Sequence, residues 1–228
     1  REEQDAYALE SYKRAQHASK SCLFGEEIVA VPVPQKKGDP IRIDTDEEPF
    51  AAPLEKMGSL KPAFQKDGTV TAANASGIND GGAAVLVMSA ARAQQLGLKP
   101  MARIKAFASS GVDPSIMGMG PVPASKRCLE KAGWKPADLD LMEINEAFAV
   151  VTMAAMKAHG LPPEKVNVHG GACALGHAIG DRLLVEDLSF DYTQVLPTPT
   201  PGGPSSSVAI PVGAAALGNR AYTPDDLN

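Results

Sequence analysis

The chain has 228 residues and a formal net charge of −5, with 22 Lys and Arg against 27 Asp and Glu. Because a general nucleic-acid-binding protein carries a basic excess, this balance excludes that class of partner. The 3 Cys fit neither a disulfide framework nor the ligand spacing of a zinc site. No apolar run approaches the roughly 18 residues of a membrane-spanning helix, so we expect no membrane partner.

Predicted helices and strands alternate along most of the chain. In chain order they are a helix over 2–18, with Ala6 and Leu9 at helical spacing; a strand over 26–33; connections over 36–64; a strand, loop and short apolar element over 69–89; a strand over 102–112; a helix over 121–134; a strand over 137–144; a buried helix over 145–160; and a strand running into a Gly-rich loop over 166–180. This alternation predicts an α/β fold built of packed layers.

The composition changes near residues 180–186. The following segment is acidic and rich in Pro, Ser and Thr, and PTPTPGGPSSS at 197–207 is of low complexity. Such a segment has little apolar surface to offset the loss of chain entropy, so we expect it to be extended or disordered. At the other end, the chain begins at Arg1 inside a pattern typical of a helix interior, and we expect that Arg1 is not the natural start. Processing of a precursor is the alternative.

Three segments place Gly, Asn or His directly after a predicted strand. They are NASGINDGG (74–82), NEAFA (145–149) and HGGACALGHAIG (169–180). In layered α/β folds, ligand groups converge at the junctions that follow strands. We therefore expect any functional site at these segments.

The residues in these segments each have a structural and a functional interpretation. Asn145 either caps the following helix or presents an amide to a water or an oxyanion. Glu146 fits an acid in the first helical turn. His177 is either a loop histidine with its bonds satisfied or a free ring beside a ligand. Ser76 either caps the next element or bonds the amides of an extended ligand.

The cysteines and the neighbouring histidines give a weaker signal. His169, Cys173 and His177 repeat every four residues, but three glycines disfavour a helix that would align them, so we expect no metal site. Cys128 fits a buried small residue. Cys22 lies in a connection, and Cys173 is the one candidate reactive thiol, although its apolar neighbours would not lower its pKa.

Four stretches together carry a resemblance. TVTAANASGINDGGAAVLVM, MGMGPVPASKRCLEKAGW, MEINEAFA and VNVHGGACALGHAIG, in that order, resemble the thiolase family, in particular its acetyl-CoA C-acetyltransferase (acetoacetyl-CoA thiolase) branch. The resemblance covers residues 1 to about 180. It implies part of a layered αβαβα fold, with the end of the N-terminal domain and its CoA-binding loop region over 1–92, the start of the C-terminal domain over 98–185, and a divergent, disordered tail over 186–228.

The resemblance also implies an activity. Thiolases condense two acetyl-CoA to acetoacetyl-CoA, or carry out the reverse thiolysis, through an acyl-cysteine intermediate. A second cysteine moves the proton at the α-carbon. For this chain the resemblance implies acetyl-CoA, acetoacetyl-CoA and CoA as substrates, no cofactor or metal, and a homo-oligomer, either dimer or tetramer. The expected location is the cytoplasm, with the mitochondrion as the alternative.

Two residues would be catalytic by this resemblance. His177 matches the His of the family's GHPIG motif, which activates the nucleophilic cysteine and helps form an oxyanion hole. Asn145 matches the Asn of NEAF, which holds the water in that same oxyanion hole.

Four positions would bind the substrate. Ser76 and the backbone near Ala72 would contact the pantetheine arm of CoA, and Phe148 would line its channel. Lys56 lies in the loop that covers the adenine end.

The departures from the family pattern bear on activity. The nucleophilic cysteine belongs to a segment that would precede Arg1, and the second catalytic cysteine belongs to a C-terminal CxGGG motif that is absent. Ala178 replaces the Pro of GHPIG, and Phe50 stands where the family often has Arg. We therefore expect an incomplete chain that is inactive alone. The alternatives are a non-catalytic CoA-binding or subunit-interacting remnant, and a structural domain without a ligand.

An incomplete chain has a physical consequence. The helix predicted over 145–160 would lack part of its cover, so we expect exposed apolar patches.

Overall fold

The computed structural model describes residues 1–79, 85–178 and 194–196. Its α-helices are α1 (Glu2–Lys20), α2 (Glu48–Ala51), α3 (Ala90–Gln95), α4 (Pro121–Ala132), α5 (Ala149–His159) and α6 (Ala172–Leu175). Short 3₁₀ helices cover Leu54–Ser59, Pro114–Met119, Pro136–Asp138 and Pro163–Lys165.

The strands of the described part are short and paired in twos. They are β1 (Val31–Val33), β2 (Ile41–Ile43), β3 (Ile78–Asn79), β4 (Leu141–Glu143), β5 (His177–Ala178) and β6 (Gln194–Leu196). β1 pairs antiparallel with β2, β3 pairs parallel with β5, and β4 pairs antiparallel with β6. A parallel bridge from Met142 to Val166 extends the pairing of β4 on its other side.

Helix α1 packs through a face of small residues. Its buried residues are Ala8, Ser11, Tyr12, Ala15 and Ala18, which recur at intervals of three and four as one helical face requires. Ala6 is exposed and Leu9 is half-buried, so these two residues lie outside this buried face. Small side chains let α1 lie close to the loops before α5 and α6.

A second core forms where α4 and α5 cover β4. It contains Leu129, Leu139, Met142, Ile144, Ala155, Leu161 and Val166. α4 begins with Pro121 in its first turn, where a missing N–H leaves no hydrogen bond unmade, and it ends at Gly133 in the left-handed conformation. The core therefore fixes the end of β4, from which the site residues follow.

The predicted helices over 2–18 and 121–134 are confirmed as α1 and α4. Of the predicted strands, 26–33 is reduced to β1, and 137–144 to β4 after a 3₁₀ turn. The prediction of a strand over 102–112 is wrong, because this segment pairs with no other strand in the described structure.

Helix α5 begins later than its pattern suggests. Phe148 occupies the N-cap position in an extended conformation, and Ala149 is the first helical residue. The prediction that Asn145 caps this helix is therefore wrong, as is the interpretation of Glu146 as an acid of its first turn. The cause is tertiary: the Ala75–Phe148 bridge holds residue 148 extended.

One short strand lies within the predicted tail. Gln194–Leu196 pairs with β4, with Met142 opposite Val195, because the edge of a short strand presents unpaired N–H and C=O groups. Residues 179–193 and 197–228, which include the low-complexity segment, lie outside the described residues, as do 80–84.

Large apolar side chains are exposed, as expected. Val85, Leu86 and Val87 are consecutive, and Leu86 is 81% exposed. Val150 on α5 is also exposed. No helix within 1–79 and 85–178 combines the length and apolar character needed to cross a membrane.

A matched pair of glycines tests the close approach of α1. Gly170 (φ +86°) and Gly38 (φ +87°) share the left-handed region, but a Cβ on Gly170 would lie 2.7 Å from the Ala15 Cβ, whereas a Cβ on Gly38 meets nothing within 4 Å. Both Ala substitutions incur the backbone penalty of roughly 1–2 kcal/mol. Only Gly170→Ala adds overpacking of about 1–3 kcal/mol.

Urea unfolding of both variants measures this difference. We expect Gly170→Ala to lower the free energy of unfolding clearly more than Gly38→Ala. Equal losses in the two variants would contradict the packing of α1 on the loop.

Candidate active site

Three loops meet through backbone hydrogen bonds at one place. The N–H of Ser76 donates to the carbonyl of Ala147 over 3.1 Å, and Ala75 bridges to Phe148. The N–H of His177 donates to the carbonyl of Gly77 over 2.8 Å, within the β3–β5 pair. The structure thus brings Ser76, Phe148 and His177 into one hydrogen-bonded cluster.

Asn145 lies two residues after β4, between that strand and the cluster. Its side chain is half-buried, and its neighbour Glu146 is fully buried. Asn145 and Phe148 belong to the same loop, which joins β4 to α5.

Ala72 and Lys56 lie further out. Ala72 is exposed in the turn that the Asn74 N–H closes by donating to the Thr71 carbonyl. Lys56 is exposed on the 3₁₀ helix Leu54–Ser59, which Arg1 anchors by donating to the carbonyls of Met57 and Leu60. Among the described residues, no hydrogen bond joins Lys56 to the cluster.

Two aromatic rings stand at the edge of the cluster. The rings of Phe148 and Phe64 meet edge to face, with centroids 6.1 Å apart. Phe64 is 74% exposed, so this pair forms an open apolar surface beside Ser76. Such a surface suits the apolar arm of a ligand.

The imidazole of His177 has bonding capacity left. Its Nδ1 atom is buried and has no hydrogen-bond partner among the described residues. Buried ring nitrogens are ordinarily paired, so this one marks a place where a further group would be satisfied.

The network under the cluster centres on the carboxylate of Glu146, which is 0% exposed. Its Oε1 accepts from the Tyr7 hydroxyl at 2.8 Å and from the Asn167 amide at 2.7 Å. Its Oε2 accepts from the Ser11 hydroxyl at 2.7 Å and from the Cys173 N–H at 3.1 Å. Four donors therefore match the acceptor sites of an ionised carboxylate.

Ser11 extends this network to the start of α6. Its hydroxyl oxygen accepts from the Gly171 N–H at 2.9 Å while its proton goes to Glu146. A Cβ on Gly171 would lie 2.3 Å from the Glu146 carboxyl carbon, so only glycine allows this contact.

Two buried asparagines fix the neighbouring backbone. Asn74 accepts from the Thr71 N–H and donates to the Thr69 carbonyl and the Asp5 carboxylate. Asn167 pairs with both the N–H and the carbonyl of Ile144, in the same way as a strand would. Each amide holds a loop that borders the cluster.

The buried carboxylate changes the acidity of its neighbours. Burial and then the charge of Glu146 raise the pKa of the Tyr7 hydroxyl and of the Cys173 thiol. Both groups therefore stay protonated at neutral pH. Burial, and then the Glu146 charge, also raises the pKa of Glu143 from 4.5 to about 7.

The cysteines of this chain do not supply a nucleophile to the cluster. Cys173 was the candidate reactive thiol, but it is buried and its pKa is raised. Burial also raises the pKa of Cys128, whose thiol donates to the Ala106 carbonyl. Cys22 is exposed in the turn after α1.

The His169–Cys173–His177 repeat does not form a ligand set. His169 packs edge to face on Phe24, with centroids 5.9 Å apart, and Cys173 faces Glu146. Across the part of the chain that the structure describes, no group of three or more His, Cys, Asp or Glu could hold a metal ion.

Sequence reasoning missed Tyr7, Ser11, Glu146 and Asn167 as parts of the site. Ser11 is 135 residues from Glu146 and 160 from Gly171, so no local pattern joins them. The available signal was the pair of adjacent glycines after His169, because glycine often marks a close approach of backbone.

Two family models match the chain. The model of the thiolase N-terminal domain matches residues 1–91, and that of the thiolase C-terminal domain matches residues 98–186. The acetyl-CoA acetyltransferase of Cupriavidus necator is 60% identical over 181 residues, which are 79% of this chain and 46% of the relative. That of Allochromatium vinosum is 57% identical over 181 residues, with the same shares. The chain thus spans about half the length of these curated relatives.

Solved structures are also similar to this chain. A Bacillus anthracis acetyl-CoA acetyltransferase superposes with a TM-score of 0.74 at 47% identity, covering 77% of this chain and 45% of the other. Human mitochondrial 3-ketoacyl-CoA thiolase gives 0.73 at 45% identity, covering 78% and 45%. A thiolase from Ascaris suum in complex with coenzyme A gives 0.73 at 44% identity, covering 78% and 46%. The predicted fold class, part of a thiolase-like α/β fold, is confirmed.

The raised pKa of Glu143 predicts a dependence of stability on pH. A folded-state pKa of about 7 against an ordinary 4.5 means that the folded chain holds this proton more tightly. The resulting stability is complete below about pH 4.5 and is lost as the pH rises through 7. Glu143→Gln removes the titrating group, so we expect it to be more stable than the parent at pH 8 by about 1–3 kcal/mol.

Thermal unfolding at pH 4.5 and pH 8 measures this difference. At pH 4.5 the variant and parent should be close, and Glu164→Gln, at an exposed position, serves as the control. A Glu143→Gln variant no more stable than the parent at pH 8 would show that Glu143 ionises without cost.

Proposed function

Because the chain belongs to the thiolase family, we propose that it forms the CoA-binding and His/Asn-bearing part of an acyl-CoA C-acyltransferase. The reaction is the condensation of two acetyl-CoA to acetoacetyl-CoA, or the reverse thiolysis, through an acyl-cysteine. The observation that carries this proposal is the convergence of Ser76, Phe148 and His177 through the bonds to Ala147 and Gly77.

His177 and Asn145 are proposed as the catalytic residues. The buried Nδ1 of His177 has no partner in the part of the chain that the structure describes, so the imidazole keeps the capacity to take a proton or to donate to an oxyanion. Asn145 lies two residues after β4, beside Ile144 of the α4–α5 core, so the packed core supports the backbone that carries its amide. Rigid support is what an oxyanion site requires.

The substrate would lie along the open side of the cluster. Phe148, with Phe64 against it, offers an apolar wall for the pantetheine arm, and Ser76 lies beside it. The exposed backbone at Ala72 and the cation of Lys56 extend this path toward the adenine end of CoA.

The complete reaction needs a thiolate nucleophile. None of the cysteines on this chain supports that role at the cluster: Cys173 is buried with a raised pKa, and Cys128 and Cys22 lie outside the cluster. We therefore propose that this chain by itself binds CoA thioesters without turning them over. A non-catalytic CoA-binding or subunit-interacting role is the second candidate, and the same observation favours it.

We also propose that CoA, acetyl-CoA and acetoacetyl-CoA are substrates, that no cofactor takes part, and that the chain assembles as a dimer or tetramer. A cytoplasmic or mitochondrial location stays a prediction.

Calorimetric titration with CoA tests the binding. We expect Lys56→Ala to weaken binding by about two- to fivefold, the size of one exposed charge contact. High salt should shrink this difference because ions screen exposed charges. Lys157→Ala is the control, since Lys157 lies eight residues, or about 12 Å, along α5 from Ala149.

Two outcomes count against the binding proposal. Absence of binding to the unmodified chain contradicts CoA recognition. An equal effect of the two lysine variants contradicts the assignment of Lys56 to the adenine end.

Thiolysis of acetoacetyl-CoA by the same preparation tests the proposed inactivity. We expect no turnover above the uncatalysed rate, because loss of a catalytic nucleophile removes most of the rate enhancement. Turnover that survives Cys173→Ala but disappears with Cys22→Ala or Cys128→Ala would show that one of these thiols acts after all.

A further inference from the structure

The geometry points to Ser11 and Glu146 as positioning residues for His177, an inference that rests on the proposed function of His177. They act by holding the first turn of α6. The Gly171 N–H donates to the Ser11 hydroxyl oxygen, and the Cys173 N–H donates to Glu146 Oε2. The first bond holds Gly171 to helix α1, and the second holds Cys173 to the loop after β4. We call these two bonds the clamp.

The clamp supplies what α6 lacks. The N-cap residue Gly171 has no side chain, so it cannot accept the N–H groups at the helix start. Glu146 and Ser11 accept them from other parts of the chain. A negative charge near a helix N-terminus is also the favourable sign for the peptide dipoles.

Helix α6 transmits this restraint over a short distance. It has 4 residues, and its last bond, from the Gly176 N–H to the Ala172 carbonyl, immediately precedes His177. His177 is then held by its own N–H to the Gly77 carbonyl. Because only one helical turn lies between Gly171 and His177, we expect a displacement of Gly171 and Cys173 to displace His177 as well.

Both oxygens of Glu146 bind helix α1, Oε1 through Tyr7 and Oε2 through Ser11. Only the Oε2 side also reaches α6, directly through the Cys173 N–H and indirectly through the Gly171 N–H on Ser11, whereas the other partner of Oε1 is Asn167. Ser11 and Tyr7 each donate one hydroxyl hydrogen bond to the Glu146 carboxylate, over 2.7 Å and 2.8 Å respectively. Removing either hydroxyl therefore deletes a hydrogen bond of similar length. Ser11→Ala and Tyr7→Phe are therefore a matched pair.

The experiment uses the full chain with ¹³C-labelled histidine rings. The chain has 4 His, so the spectrum is simple, and each signal is assigned by a single substitution. We expect Ser11→Ala to displace the His177 signal by more than its linewidth, while Tyr7→Phe leaves it in place. His159, whose ring is bonded to Ser125 between α4 and α5, is the internal control and should stay unmoved in both variants.

Titration of the same samples with CoA separates this inference from the proposed function. We expect the unmodified chain and Tyr7→Phe to bind alike, and Ser11→Ala to bind about tenfold more weakly, as for loss of one good hydrogen bond. Absence of binding in the unmodified chain overturns the proposed function, whereas the His177 displacement still tests the positioning.

Equal displacement of His177 in both variants, or in neither, overturns the positioning role. A hydrogen-exchange measurement on the unmodified chain holds even where Ser11→Ala fails to fold. The Gly171 and Cys173 amides should exchange as slowly as those in the middle of α5, because their acceptors are buried. Fast exchange at these two amides overturns the clamp.

Discussion

A buried carboxylate that has no cation partner among the described residues is the constraint on which this structure depends. Taking such a charge out of water costs several kcal/mol, and hydrogen bonds to a charged group return about 1.5–3 kcal/mol each. Glu146 therefore needs most of its four donors at once, and these come from helix α1, from Asn167 and from the start of α6. Since a missing segment would leave the charge uncompensated, these segments order together, and the geometry of the loops follows from their assembly.

The same requirement explains the small residues around the charge. Hydrogen bonds of 2.7–2.8 Å from Tyr7 and Ser11 to Glu146 demand that α1 lie directly against the loop before α5. The 2.9 Å bond from the Gly171 N–H to Ser11 brings the loop before α6 against the same helix. Gly170 faces Ala15 and Gly171 faces the carboxylate, at distances that leave no room for a Cβ. The hydrogen bonds to Glu146 therefore require this close packing, because a side chain at either glycine would separate the donors from the carboxylate.

The elements that could be predicted from the sequence depend on local contacts, and those that could not depend on contacts between residues far apart in the chain. Helices α1 and α4 could be predicted because their spacing and, in α4, the Pro and Gly boundaries are written locally. The motifs also located Ser76, Phe148 and His177, since each follows a strand-like segment in a Gly- or Asn-rich loop. The start of α5 could not be predicted, because the bridge to Ala75 extends Phe148. Nor could Glu146, whose partner Ser11 is 135 residues away.

The buried anion also separates geometry from reactivity in this chain. A reactive thiolate needs cationic or hydrogen-bond-donating surroundings that lower its pKa, whereas burial and then the charge of Glu146 raise the pKa of Cys173. The network that we infer positions His177 therefore also keeps the Cys173 thiol protonated.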